Sequence, residues 1–209
     1  MAVITLKELV SLNKQRSSPL ANFQTSELSR QQQQFQLLVR QKRMGLNIES
    51  LLDCQLALLL EQLSSFIPGI FEPRKKIYLD TRWKARLQIG EAYYWLEVPI
   101  NAGVVKNKVR LYEWRIGSVE PNWCDCVKLW VACQFLQYQP QDLLLVICAF
   151  SPEHNGCVEK IRFSKKDYCE IEGKLKSLLR KDTSKAVLKD MNTYSNHLTN
   201  IDEIEEIKL

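Results

Sequence analysis

Apolar positions along the chain follow a helical period up to about residue 66, then alternate, and the two periods exchange again further on. Residues 37 to 66 carry apolar side chains at helical spacing. The piece LLDCQLALLLEQLSSF is apolar almost all round, which predicts a buried helix ended by Pro68 and Gly69. KKIYLDTRWKARLQIG then alternates, placing Ile77, Leu79, Thr81, Trp83, Ala85 and Leu87 on one face of a strand whose other face is wet. EAYYWLEVPI and KVRLYEWRI predict two more strands, separated by turn signals at Gly103 and Asn107. WCDCVKLWVACQFLQY predicts a helix with Val127, Trp130, Val131, Gln134 and Phe135 on one stripe. DLLLVICAF is wholly apolar, as expected of a central strand covered on both faces, and CVEKIRF alternates as another strand. A last amphipathic helix opens at Ser164 as N-cap, with Asp167 placed for a capping box. The order helix, three strands, helix, two strands, helix predicts an α/β fold of mixed α+β type, a mixed sheet flanked by helices.

The 209 residues suit one domain with appendages. Residues 1–36 form a polar, glutamine-rich segment whose SRQQQQFQ run suits either a frayed helix or a disordered tract. Residues 37–182 form the folded domain, and 183–209 a polar, acidic tail. No run of apolar residues is long enough to span a membrane. The opening MAVITLKELV is interrupted by Lys7 and leads to no cleavage-site pattern, so no signal peptide and a cytoplasmic location are expected. An odd count of seven cysteines agrees with reduced thiols. Cys124 and Cys126 have the wrong spacing for half of a tetrahedral metal site, and Cys133 and Cys148 read as small core residues. His154 and His197 read as surface residues of a turn and of the tail.

A net charge of +5 is modest, but its distribution is uneven. Between Arg74 and Arg115 basic residues outnumber acids by ten to four. Such a surplus suits either a phosphate backbone or lysine-guarded strand faces. Lys84, Arg86, Lys106, Lys108 and Arg110 are the candidate nucleic-acid contacts. Tryptophans at 83, 95, 114, 123 and 130 lie in or near the same region, where they suit either core packing or stacking on unpaired bases.

The stretch VRLYEWRIGS places Glu113 and Arg115 two residues apart, on one face of a strand, just before Gly117. Twelve residues earlier stands VPINAGVV, and DCVKLWVACQFLQ follows. Over about residues 77 to 180 this arrangement resembles the PD-(D/E)XK nuclease superfamily, in its RecB-like branch. VRLYEWRIG stands where that family has a strand ending in Asp-Tyr-Lys-Thr-Gly, and VPINAGVV where it has Gly-x-Ile-Asp. The helix stands where the family has one beginning with glutamine and carrying a tyrosine four residues on. The resemblance implies a restriction-endonuclease-like mixed sheet flanked by helices. In such a site two carboxylates share magnesium or manganese, and the ion activates a water for phosphodiester hydrolysis.

Departures from that pattern fall on the site itself. Asn101 replaces the family aspartate and removes one negative charge from the metal. Arg115 replaces the lysine, and its guanidinium cannot act as a base. Lys128 stands for the glutamine and Ala132 for the tyrosine, so only Glu113 keeps metal-ligand chemistry. Glu97 lies four residues before Asn101, about 13 Å along an extended strand, too far to replace it. A catalytically degenerate nuclease-like protein that binds DNA or a protein partner is therefore expected, with no metal needed. The alternatives are an active magnesium- or manganese-dependent nuclease with a non-standard site, and a non-enzymatic interaction subunit. Without enzymatic work, Glu113 and Arg115 would form an ion pair at the end of a sheet.

Overall fold

Asp53 starts the buried helix: its side chain accepts the Leu56 N–H at 2.7 Å, and Leu56, Leu59, Leu60 and Leu63 then point into the core. The computed structural model describes residues 2–14, 25–105, 108–116, 120–150 and 156–180. In chain order it contains β1 (Ala2–Thr5), α1 (Leu6–Lys14), α2 (Thr25–Arg43), α3 (Cys54–Phe66), β2 (Ile77–Ile89), β3 (Ala92–Val105) and β4 (Lys108–Ile116). After these come α4 (Trp123–Leu136), β5 (Leu144–Phe150), β6 (Cys157–Arg162) and a helix over 165–180, α5. None of the described helices is long and apolar enough to cross a membrane.

Six strands form one mixed sheet. β2 runs antiparallel to β3 along nearly its whole length. On the other side of β3, β4 pairs antiparallel at 101–105 and β1 pairs parallel at 94–97. β4 then runs parallel to β5, and β5 antiparallel to β6. Helices cover both faces, as expected of a mixed α/β fold. Leu111, Leu145 and Ile147 pack with α1, α4 and α5, while Tyr112, Trp114, Val146, Cys148 and Phe150 pack with α2 and α3. β5 is thus covered on both faces, as its unbroken apolar run predicts. The Ser164–Asp167 capping box also forms: Ser164 Oγ accepts the Asp167 N–H at 3.2 Å, and the Ser164 N–H donates back at 3.0 Å.

Several expectations change. The N-terminal segment is not set apart from the domain, because β1 joins the sheet and Leu9 of α1 is fully buried in its core. The boundary expected at 36/37 falls inside α2, and the single helical pattern over 37–66 is two helices, α2 and α3. Gly45 at φ +80° helps turn the chain between them. Gly103 lies inside β3, paired with Arg110, rather than in a turn, and a Cβ there would sit 2.8 Å from the Tyr112 ring; Asn107 lies outside the described residues.

The alternation expected along β2 also breaks. Ile77 and Leu79 face the α2–α3 layer, whereas Trp83, Ala85 and Leu87 face α4. The reason is a bulge between Tyr78 and Thr81, with Asp80 at φ +52°. An extra residue in one strand reverses every side chain beyond it.

Candidate functional site

β3 and β4 separate after the pair Asn101–Tyr112. Residues 98–100 of β3 have no described strand on that side before β1 begins at 97. Pro99 occupies this gap, where a missing N–H is easily tolerated. On the far side of the fork, the freed edge of β4 needs hydrogen-bond partners. Gln32 of α2 supplies them: its amide nitrogen donates to the Trp114 carbonyl, and its amide oxygen accepts the Ile116 N–H at 3.0 Å. A side-chain amide thus stands in for the strand that has turned away. At this position the glutamine-rich run completes the hydrogen bonding of the sheet edge from α2.

A small cavity of about 60 Å³ opens at the fork. Asp80 and Asn101 line it, together with Glu113 and Lys128. Gln36 and Arg40 of α2 complete it on the other layer. The geometry brings together three of the four expected site residues, Asn101, Glu113 and Lys128, and leaves Arg115 outside the lining.

Glu113 and Arg115 do share a strand face, but they do not pair with each other. Each reaches to α4. Glu113, only 9% exposed, accepts a hydrogen bond from the Lys128 ammonium in an ion pair. Arg115 donates to the carboxylate of Asp125 and, at 2.8 Å, to the Glu120 carbonyl. Asp125 is 2% exposed and also caps α4, where it accepts the Asn122 N–H at 2.7 Å. A buried carboxylate needs such partners, because an unpaired charge there is costly. Arg115 therefore holds the start of α4 to the end of β4.

The remaining groups at the fork are committed as well. Asn101 Oδ1 accepts the Asp80 N–H at 2.9 Å across the bulge, and its amide nitrogen donates to the Tyr112 carbonyl at 3.4 Å. The Asp80 carboxylate pairs with Arg40 at 2.6 Å. A hard divalent cation wants several free oxygen ligands. Here both carboxylates already face a protein cation, and the amide oxygen is engaged by a backbone N–H. Among the described residues no cluster of three or more His, Cys, Asp or Glu is placed to hold a metal. Held this way, the fork would offer a hard divalent cation two carboxylates, each already paired with a protein cation.

Glu97 does not enter the cavity. It stays on β3 between Arg82 at 2.7 Å and Lys84 at 3.0 Å, and these two cations hold its carboxyl below the ordinary value, Arg82 foremost. The expected nucleic-acid residues fall into separate groups. Lys84 lies opposite Glu97 and Arg86 opposite Trp95, while Arg110 lies opposite Gly103 and Lys108 opposite Val105. Eight positions along β3, roughly 26 Å, separate the levels of Lys84 and Lys108. Lys106 lies outside the described residues, as do both histidines. Among the tryptophans, Trp83, Trp114 and Trp130 are core residues, while Trp95 and Trp123 are half-buried.

All seven cysteines are free thiols. Cys133 and Cys148 are buried, and burial pushes both up to about 12.

Sequence reasoning missed Asp80, Arg40, Gln36 and Asp125. Asp80 carries a readable signal, because aspartate is depleted in strands and tolerates left-handed backbone, so an Asp inside an alternating run marks a bulge. Asp125 carries another, since Asn122 and Asp125 have the spacing of a capping box. Gln36 and Arg40 had no such signal, for their place depends on how α2 lies across the fork.

No protein-family model matches the chain, and no curated protein matches it. Several solved structures are similar to it. One is a protein named SSO0001, 12% identical with a TM-score of 0.45, covering 86% of this chain and 76% of that one. Another is an alkaline exonuclease (LHK-Exo) from Laribacter hongkongensis, 12% identical with a TM-score of 0.44, covering 93% and 94%. LHK-Exo in complex with dAMP is 11% identical with a TM-score of 0.44, again covering 93% and 94%.

Proposed function

We propose that this chain is a PD-(D/E)XK nuclease-like domain of the RecB-like kind that no longer cleaves phosphodiesters and binds DNA. One observation carries the loss of chemistry: Glu113 at the fork is paired with Lys128, and Asp80 with Arg40. A hydrolytic site needs carboxylates free to hold a metal and its water. Here the protein's own cations take that place, and Asn101 is tied to the backbone on both of its amide atoms. The DNA half of the reading draws support from the exposed basic side chains of β2.

The test is a cleavage and binding assay on one preparation. Labelled DNA is offered with magnesium, with manganese and with EDTA. The reading expects binding that weakens as salt rises, is unchanged by EDTA and is accompanied by no cleavage. Metal-dependent cleavage that disappears in Glu113→Ala would overturn it. That outcome belongs to a second reading, a nuclease with a non-standard site, which draws on the presence of Asp80 and Glu113 in one cavity. Absence of DNA binding even at low salt would move the function to a protein partner.

A further inference from the structure

The sheet face that α2 and α3 cover near β4 continues across β3, β2 and β1, where none of the described helices covers it. Trp83, Ala85 and Leu87 point to the opposite core, so Arg82, Lys84 and Arg86 stand at alternate positions on the open face. Leu96 and Val98 likewise point away, leaving Tyr93, Trp95, Glu97 and Pro99 on it. Val3 of β1, opposite Trp95, lies 50% exposed at the border.

This strip combines two kinds of group. Tyr93 is 41% exposed and Trp95 half-buried, at alternate positions whose backbones lie about 6.6 Å apart along one strand. Beside them run three cations at the same spacing. Arg86 lies over the Tyr93 ring, its guanidinium carbon 4.7 Å from the ring centre. The Arg82 side chain is 68% exposed and that of Lys84 49%. Glu97 is the one acid of the strip, and it is shared by Arg82 and Lys84, so the strip keeps a positive surplus.

We propose that this strip is a platform for single-stranded DNA, with bases on Tyr93 and Trp95 and phosphates on Arg82, Lys84 and Arg86. The inference rests on the DNA-binding reading above and names its substrate class. Rings flanked by cations suit a strand whose base faces are free, which a duplex does not offer. A 2′-hydroxyl is what lets a site prefer RNA. The two Glu97 oxygens each face a cation of the strip, Arg82 and Lys84, and the Thr5 hydroxyl faces Glu8, so none of these groups is set aside for a ribose hydroxyl. The choice of DNA rests on the DNA-binding reading, and oligo-U tests it.

The experiment is a fluorescence-anisotropy titration of the full chain with labelled oligo-dT, a duplex of the same length and oligo-U, at two salt concentrations. Oligo-dT is expected to bind most tightly. Tyr93→Leu is expected to weaken it roughly 5- to 100-fold, as for loss of one stacked base. Arg86→Glu, on an exposed side chain, is expected to weaken binding and to lower the salt slope by about 0.7 or more. Glu97→Gln is expected to tighten binding about 5-fold, because it releases two cations from their acid. Oligo-dT binding unchanged in Tyr93→Leu and in Arg86→Glu would overturn the strip while leaving DNA binding elsewhere on the domain intact. Tighter binding of duplex or of oligo-U would overturn the choice of single-stranded DNA. No binding of any of the three would overturn both this inference and the reading beneath it.

Discussion

The cations that pair with the acids of β3 and β4 sit in two contrasting settings. At the fork, Glu113 and Lys128 form an ion pair whose side chains are 12% and 14% exposed. On the open strip, Glu97, whose side chain is 14% exposed, meets Arg82 and Lys84, whose side chains are 68% and 49% exposed. The chemistry of the partners is nearly the same, yet the consequences differ. For Glu113–Lys128 and Arg115–Asp125 the low-dielectric surroundings make each charge depend on its partner, so these two pairs serve as fasteners between β4 and α4. On the strip water screens the charges, and the cations remain able to exchange one anion for another. Paired charges can thus form a closed structural joint in one place and an open, solvated surface beside it.

Breaking the buried pair should have the largest effect. Lys128→Met leaves Glu113 buried without a cation and is expected to cost about 3–5 kcal/mol in chemical denaturation. Adding Glu113→Leu to that variant should return most of the loss, since removing both charges removes the unpaired one. A double variant no more stable than Lys128→Met would show that the pair is not what holds this joint.

A smaller effect is expected at Gln32. Gln32→Leu keeps the helix but leaves the Trp114 carbonyl and the Ile116 N–H of β4 without their partner, at a cost of about 1–3 kcal/mol. Hydrogen exchange at the Ile116 amide should accelerate in this variant. Unchanged protection there would mean that the amide bridge does not seal the edge.

The open strip should respond least. Arg82→Ala is expected to change stability by no more than about 1 kcal/mol, as for an exposed ion pair. Glu97 sharpens the contrast through pH. Its folded-state value lies below the ordinary 4.5, so its contribution is present above that value and is lost as pH falls through the lowered one. An NMR titration of the Glu97 carboxyl carbon should therefore show a midpoint below 4.5. A midpoint at or above it would mean that Arg82 and Lys84 do not hold the carboxylate in solution.

Most of the layer architecture was legible in the chain. The apolar run of β5, the helical stripe of α4 and the Ser164–Asp167 cap each carry a local signal, and each element forms where its signal stands. The face shared by Glu113 and Arg115 was legible too, because i and i+2 on a strand project to one side. Their partners were not. Lys128 lies fifteen residues beyond Glu113, and the bond between them exists only because α4 packs across β4.

Asp80 shows the same limit from the other side. Counting alternate residues places all of β2 in one register, and a single extra residue at the bulge reverses the strand. The role of the glutamine-rich run was equally hidden, since composition describes a helix or a polar tract but not an amide facing an unpaired strand edge.

The sequence by itself determined the order of elements and the faces on which their apolar residues lie, because local propensity and periodicity act over a few residues. Only the tertiary structure decided which charges are neutralised and which stay available. That depends on distances between segments far apart in the chain, and on how much water is left between them. The same carboxylate is a fastener when a helix closes over it and part of an exchangeable surface when none does.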